Sequence, residues 1–153
     1  MLLFGEKTSW QVICRQRRNG TTSKMTLEEL SMKKILIVDD EPTIRFAVMM
    51  VLGEKGFETL EADNGDTALE LATTERPDLI ISDVMMDNLN GFLLAELLHK
   101  EERTSSIPII LMTGAAQAAG AWATDPDVQY LQKPFSADVL LDAVEKATSY
   151  AIP

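Results

Sequence analysis

Residues 35–42 read ILIVDDEP: four apolar residues, three acids and a proline in immediate succession. An apolar run without alternation suits a strand covered on both faces, as in a parallel sheet flanked by helices. The adjacent carboxylates that end it repel one another and lose solvation as they crowd. A helix cap needs only one such side chain. The pair Asp39 and Asp40 therefore suggests a chemical task, with a solvated strand end as the plain alternative.

The pattern repeats outward from that stretch. A helix is predicted over 43–55, with Ile44, Ala47, Val48, Val51 and Leu52 on its inner face and Gly56 closing it. A second strand covers 57–62. Asn64 caps a helix through 73 whose inner side is Ala68, Leu69, Leu71 and Ala72, and Pro77 stops it. DLIIS leads a third strand to Asp83, and FLLAELL makes the helix over 91–100 apolar enough to pack. Pro108 opens a fourth strand, PIILMT, ending at Thr113. AAQAAGAWA reads as a weak, short helix. VQYLQ is a fifth strand ending just before Lys133 and Pro134. Ser136 caps a last helix with Val139, Leu140, Ala143, Val144 and Ala147 inward. Five βα units with right-handed crossovers give an α/β, doubly wound, five-stranded parallel sheet, with the flavodoxin-like order 2-1-3-4-5. That topology places the ligand site at the carboxyl ends of the strands.

The 153 residues suit one domain with a tail, and 46% hydrophobic and 25% charged residues are ordinary for a globular protein. No apolar run reaches the roughly 18 to 20 residues of a bilayer span, and the opening MLLFGEKTSWQ is too short in its apolar part for a secretory signal. A single cysteine, Cys14, allows no internal disulfide and points to a reducing cytoplasm. The net charge of −10 argues against broad contact with nucleic acid. Residues 1–31 stand apart. Their five basic residues exceed their three acids by two, so the remainder carries −12. They show no clean period, and a poorly ordered N-terminal extension is expected there, with a short helical piece over 25–30. Translation starting at Met25 or Met32 would make the extension an artefact; a basic arm that touches a membrane or partner is the other reading.

The predicted topology brings Asp39, Asp40, Asp83, Thr113 and Lys133 to one edge. Three carboxylates in a partly dry cleft call for a hard cation, and Mg²⁺ suits one or two carboxylates plus a phosphoryl oxygen. Lys133 adds a mobile cation and Thr113 a hydroxyl able to bond an oxyanion. Together they describe a cradle for phosphoryl transfer, with Asp83 as acceptor.

With DDE after the first strand, DVMMDNLNG after the third, Thr113 ending the fourth and KPF after the fifth, residues 32–153 resemble a response-regulator receiver domain of two-component phosphorelay systems. The resemblance implies that Asp83 takes a phosphoryl group from a phosphohistidine on a histidine kinase or phosphotransfer protein. It implies Mg²⁺ on Asp40, Asp83 and the backbone carbonyl of Met85, with Asp39 acting through water, and phosphoryl oxygens gripped by Thr113 and Lys133. Tyr130 holds the aromatic switch position, and the bond before Pro134 is often cis in this family. A stand-alone receiver of this kind acts by docking to a downstream protein target. It is not an enzyme in the usual sense, although it assists its own phosphorylation.

This chain departs from the family pattern in places. Met86–Asp87 stands where Met-Pro is usual, and Asp125-Pro126-Asp127 replaces a Gly-Ala turn. Met85 and Ala115 cannot position an attacking water, which implies a long-lived phosphoryl state. The alternative function is a degenerate receiver, a phosphorylation-independent interaction module, against which the intact acids, Thr113 and Lys133 speak. A phosphohydrolase would carry D-x-D after its first strand, and an FMN carrier a Ser/Thr/Gly-rich phosphate loop. Tyr130 also reads as plain packing, Met49, Met50, Met85 and Met86 as core filler, Trp122 as loose packing, and His99 as an exposed residue without a role.

Overall fold

The computed structural model describes residues 11–13, 24–26, 33–114 and 128–148. Strands β1 (Gln11–Ile13) and β2 (Lys24–Thr26) pair antiparallel with each other. Met25 and Thr26 thus lie in a strand paired with Val12 and Gln11, where a helical piece was expected over 25–30; residues 27–30 lie outside the described residues. Then follow β3 (Lys34–Val38), α1 (Pro42–Glu54), β4 (Glu58–Ala62), α2 (Gly65–Glu75), β5 (Leu79–Asp83), α3 (Gly91–Lys100), β6 (Ile109–Thr113), β7 (Val128–Gln132) and α4 (Ala137–Thr148). The weak helix expected over AAQAAGAWA, together with Ala115, Trp122 and the Asp125–Asp127 turn, lies outside the described residues.

The larger sheet runs β4-β3-β5-β6-β7, all parallel. Counted from β3, this is the order 2-1-3-4-5. Alternate residues of each strand face opposite ways, so Leu36, Val38, Ile80, Ile109 and Leu111 meet α2 and α3 in one core cluster. Ile35, Ile37, Ile81, Ile110 and Met112 meet α1 and α4 in the other. Burial on both faces is why these strands read as unbroken apolar runs.

The helix ends follow local chemistry. Asn64 and Asn90 accept hydrogen bonds from the Thr67 and Leu93 amides at 2.8 and 2.9 Å, and Ser136 Oγ accepts from the Val139 amide at 3.2 Å. Gly56, at φ 91°, follows α1 in a conformation that favours glycine. Three expectations fail on face. Ala47 is exposed and Val139 is half-exposed: the second core takes Val48 and Leu52 of α1 and Leu140 and Val144 of α4 as its buried residues, with Ile44, Val51, Leu141 and Ala143 packed against them. Met50 and Met85 are exposed and do not serve as core filler, whereas Met49 and Met86 pack against it.

Candidate functional site

The strands end in polar residues at one edge of the sheet. Asp39 follows β3 directly, Asp83 ends β5, Thr113 ends β6 and Lys133 follows β7. Hydrogen bonds continue the sheet past its last residues: the Asp39 amide donates to Ala62 O at 3.1 Å, Val84 to Met112 O at 3.0 Å and Lys133 to Thr113 O at 2.8 Å. These bonds hold the acids and the lysine level with one another, as the topology predicted.

The Lys133 ammonium lies 3.1 Å from Asp83 Oδ1 and 3.2 Å from Asp39 Oδ2. Asp39 is wholly buried, and its second oxygen accepts from the Glu41 amide at 2.9 Å. Asp40 is exposed. Among the described residues, the carboxylates whose oxygens lie within 4.8 Å of one another are Asp39, Asp40 and Glu41. Asp83 joins them through Lys133. Burial pushes the Asp83 carboxyl above its ordinary pKa; the charges of Asp39 and Asp40 act the same way, and Lys133 opposes without reversing it. Burial works against the Lys133 ammonium, yet its hydrogen bond to Asp83 and the charges of Asp39 and Asp83 hold its pKa above the ordinary lysine value.

Thr113 is buried beside this group. Tyr130 is half-buried and lines a cavity of about 230 Å³ with Phe92, His99, Leu111 and Val128. His99 is thus half-buried, where an exposed residue was expected; the inner side of α3 carries Leu94, Ala95 and Leu98, and His99 follows at its margin. The Lys133–Pro134 peptide is cis.

The donor set suits a hard cation. Three carboxylates offer only oxygen, and a protein ammonium already bridges Asp39 and Asp83, where a positive charge offsets their repulsion. Mg²⁺ fits that chemistry.

Two residues escaped the sequence reading. A Cβ on Gly91 would stand 2.4 Å from Asp83 O and 3.0 Å from Val84 Cα, so only glycine lets α3 start this close to the end of β5. Arg45 reaches the Asp39 carbonyl. The sequence shows only a lone cation among the apolar residues that follow the acids, which does not reveal the carbonyl it reaches.

The fold matches known proteins. Residues 35–145 fit the model of the response regulator receiver domain, and the chain belongs to that family. Protein PilH of Pseudomonas aeruginosa is 36% identical over 115 residues, which are 74% of this chain and 95% of PilH. The structure of chemotaxis protein CheY4 of Vibrio cholerae superposes with a TM-score of 0.70 at 30% identity, covering 76% of this chain and 98% of that one. The receiver domain of sensor histidine kinase PA1611 from P. aeruginosa, solved with a magnesium ion in its active-site cleft, shares the fold with a TM-score of 0.70 at 24% identity over 76% of this chain and 98% of its own. The chain spans about half the length of several transcriptional regulators it also matches. No helix among the described residues is long and apolar enough to cross a membrane.

Proposed function

We propose that this protein is a single-domain response regulator. It accepts a phosphoryl group from a phosphohistidine donor onto Asp83, in the presence of Mg²⁺, and thereby switches a protein-docking surface. The observation that carries this is the Asp83 carboxylate, buried at the end of the middle strand with the Lys133 ammonium 3.1 Å away and the Asp39–Asp40 pair beside it. The likeness to PilH over 95% of that protein supports a regulator made of a receiver alone.

In the transfer an Asp83 carboxylate oxygen attacks the phosphorus. The new O–P bond forms as the N–P bond breaks, and its electron pair returns to the donor imidazole. Asp39, Asp40, Asp83 and the Met85 carbonyl would hold Mg²⁺. When bound, Mg²⁺ supplies positive charge against the acids and the phosphoryl oxygens. Lys133 is already aimed at the acceptor, and its ammonium follows the added charge. Thr113 offers its hydroxyl to a phosphoryl oxygen, and Tyr130 has a cavity beside it into which the ring can move. An apolar groove of about 460 Å³, lined by Ile44, Val51, Pro134, Phe135 and Leu140, opens beside Lys133. It gives the donor protein a surface to rest on while it presents its phosphohistidine. The chain is a reactant more than an enzyme: it positions its own acceptor, and turnover ends with hydrolysis of the acyl phosphate. The acidic charge and the absence of a spanning helix among the described residues fit a cytoplasmic protein that does not contact nucleic acid itself.

Incubation with acetyl phosphate tests this. The wild type gains the mass of one phosphoryl group only when Mg²⁺ is present, and Asp83→Asn gains none. A wild type that stays unmodified in excess Mg²⁺, and that binds no Mg²⁺, would instead be a phosphorylation-independent docking module.

A further inference from the structure

Arg45 takes no part in the roles above. Its side chain is 16% exposed. Nη1 donates to the Asp39 carbonyl oxygen at 2.7 Å and Nε to Glu61 Oε1 at 3.0 Å. Other bonds at the same turn hold the Asp39 amide and the two Asp39 carboxylate oxygens. Arg45 alone among these holds the peptide group between Asp39 and Asp40. That group is planar, so fixing its oxygen fixes the amide nitrogen opposite and the direction in which the Asp40 Cα leaves. Among the described residues no hydrogen bond or ion pair holds the Asp40 carboxylate, so the main chain sets its place. Glu61, on the neighbouring strand β4, anchors the guanidinium and leaves Nη1 directed at the carbonyl.

We infer that Arg45 is a positioning residue: through the Asp39 carbonyl it sets Asp40 for the cation that the phosphoacceptor site binds, with Glu61 holding it in that role. This rests on the phosphoacceptor reading above. A plainer role, a counter-charge beside three acids, makes the opposite prediction. A counter-charge repels Mg²⁺, so its removal tightens binding. Loss of a residue that orients a metal ligand loosens binding, by roughly 10- to 100-fold in other metal sites.

The test uses the full chain and Mg²⁺ alone, with binding followed by amide NMR shifts, in wild type, Arg45→Met and Arg45→Lys. Arg45→Met is expected to weaken Mg²⁺ binding at least about tenfold. Arg45→Lys keeps the charge but cannot reach Glu61 and the carbonyl together, so it weakens binding by a smaller factor. At saturating Mg²⁺, both accept phosphoryl groups from acetyl phosphate at rates within about threefold of wild type, the split expected when only cation binding is lost. Unchanged or tighter binding in Arg45→Met overturns the inference. Should that variant fail to fold, Arg45→Lys decides: weaker binding supports positioning, and equal binding overturns it. A wild type that binds no Mg²⁺ overturns the phosphoacceptor reading along with this one, whereas variants that bind as well as a competent wild type remove only the role of Arg45.

Discussion

In the folded chain Asp83 ionises against burial and against the charges of Asp39 and Asp40, with Lys133 opposing them. Its folded-state pKa therefore lies above the unfolded value of 3.8. Between those two values the unfolded chain is the more ionised, so stability falls as the pH rises through that window and stays lowered above it. Asp83→Asn removes this cost while still accepting a hydrogen bond from Lys133. We expect the metal-free variant to melt higher than wild type at neutral pH, with the gain shrinking as the pH approaches 3.8. A variant that melts lower at neutral pH would contradict this. Lys133→Met should do the reverse. It leaves Asp39 and Asp83 without their shared cation, costing roughly 2 kcal/mol in a metal-free melt, and added Mg²⁺ should recover part of the loss. On the proposed function, the phosphoryl lifetime should depend on Met85, an exposed thioether beside the acceptor. Met85→Asn supplies an amide able to orient water, and should shorten the lifetime roughly tenfold, read as decay of the phosphorylated mass.

At the scale of elements, the start of α3 packs against the end of β5, where the proposed acceptor Asp83 stands. The Gly91 amide donates to Val84 O at 3.0 Å, and the helix begins against the main chain of Asp83. Gly91→Ala meets backbone atoms that cannot yield cheaply. It should cost roughly 2 to 4 kcal/mol in denaturant unfolding and slow phosphoryl acceptance. Gly53→Ala in α1 is the matched control: nothing lies within 4 Å of its added methyl, so it should stabilise by about 0.5 to 1 kcal/mol. The contrast between the two glycines is tertiary, and no local spacing shows it. The strand ends, by comparison, were legible, because an apolar run that stops at an acid marks both burial and edge. α1 was legible as a helix and less so in its facing. Its residues are apolar nearly all round, so the period left Phe46 and Met50 outward but could not separate buried Val48 from exposed Ala47 beside it. Arg45 was overlooked for a related reason: a lone arginine on a helix gives no sign of the carbonyl it reaches.

The molecule as a whole is a sheet with a filled core on each face and its chemistry at one edge, and that division explains which parts were readable. Asp39, Asp40, Asp83, Thr113 and Lys133 are far apart in sequence, yet parallel strands end level, so knowing the topology was enough to bring them together. Which acids would cluster was not legible. Lys133 lies between Asp39 and Asp83, while Glu41 joins Asp39 and Asp40, and both depend on side-chain geometry. The five-stranded sheet and its helices begin at Lys34, and β1 and β2 pair with each other in a separate sheet. A chain beginning at Met32 should therefore keep its melting temperature and its phosphoryl acceptance; loss of either would show that residues 1–31 belong to the domain. The central claim is that Asp83 takes the phosphoryl group. Borohydride reduces an aspartyl phosphate to homoserine, so peptide mapping of the phosphorylated, reduced protein reads the acceptor directly. We predict homoserine at position 83 alone; homoserine at another acid, or a phosphate that survives reduction on a hydroxyl, would contradict the account.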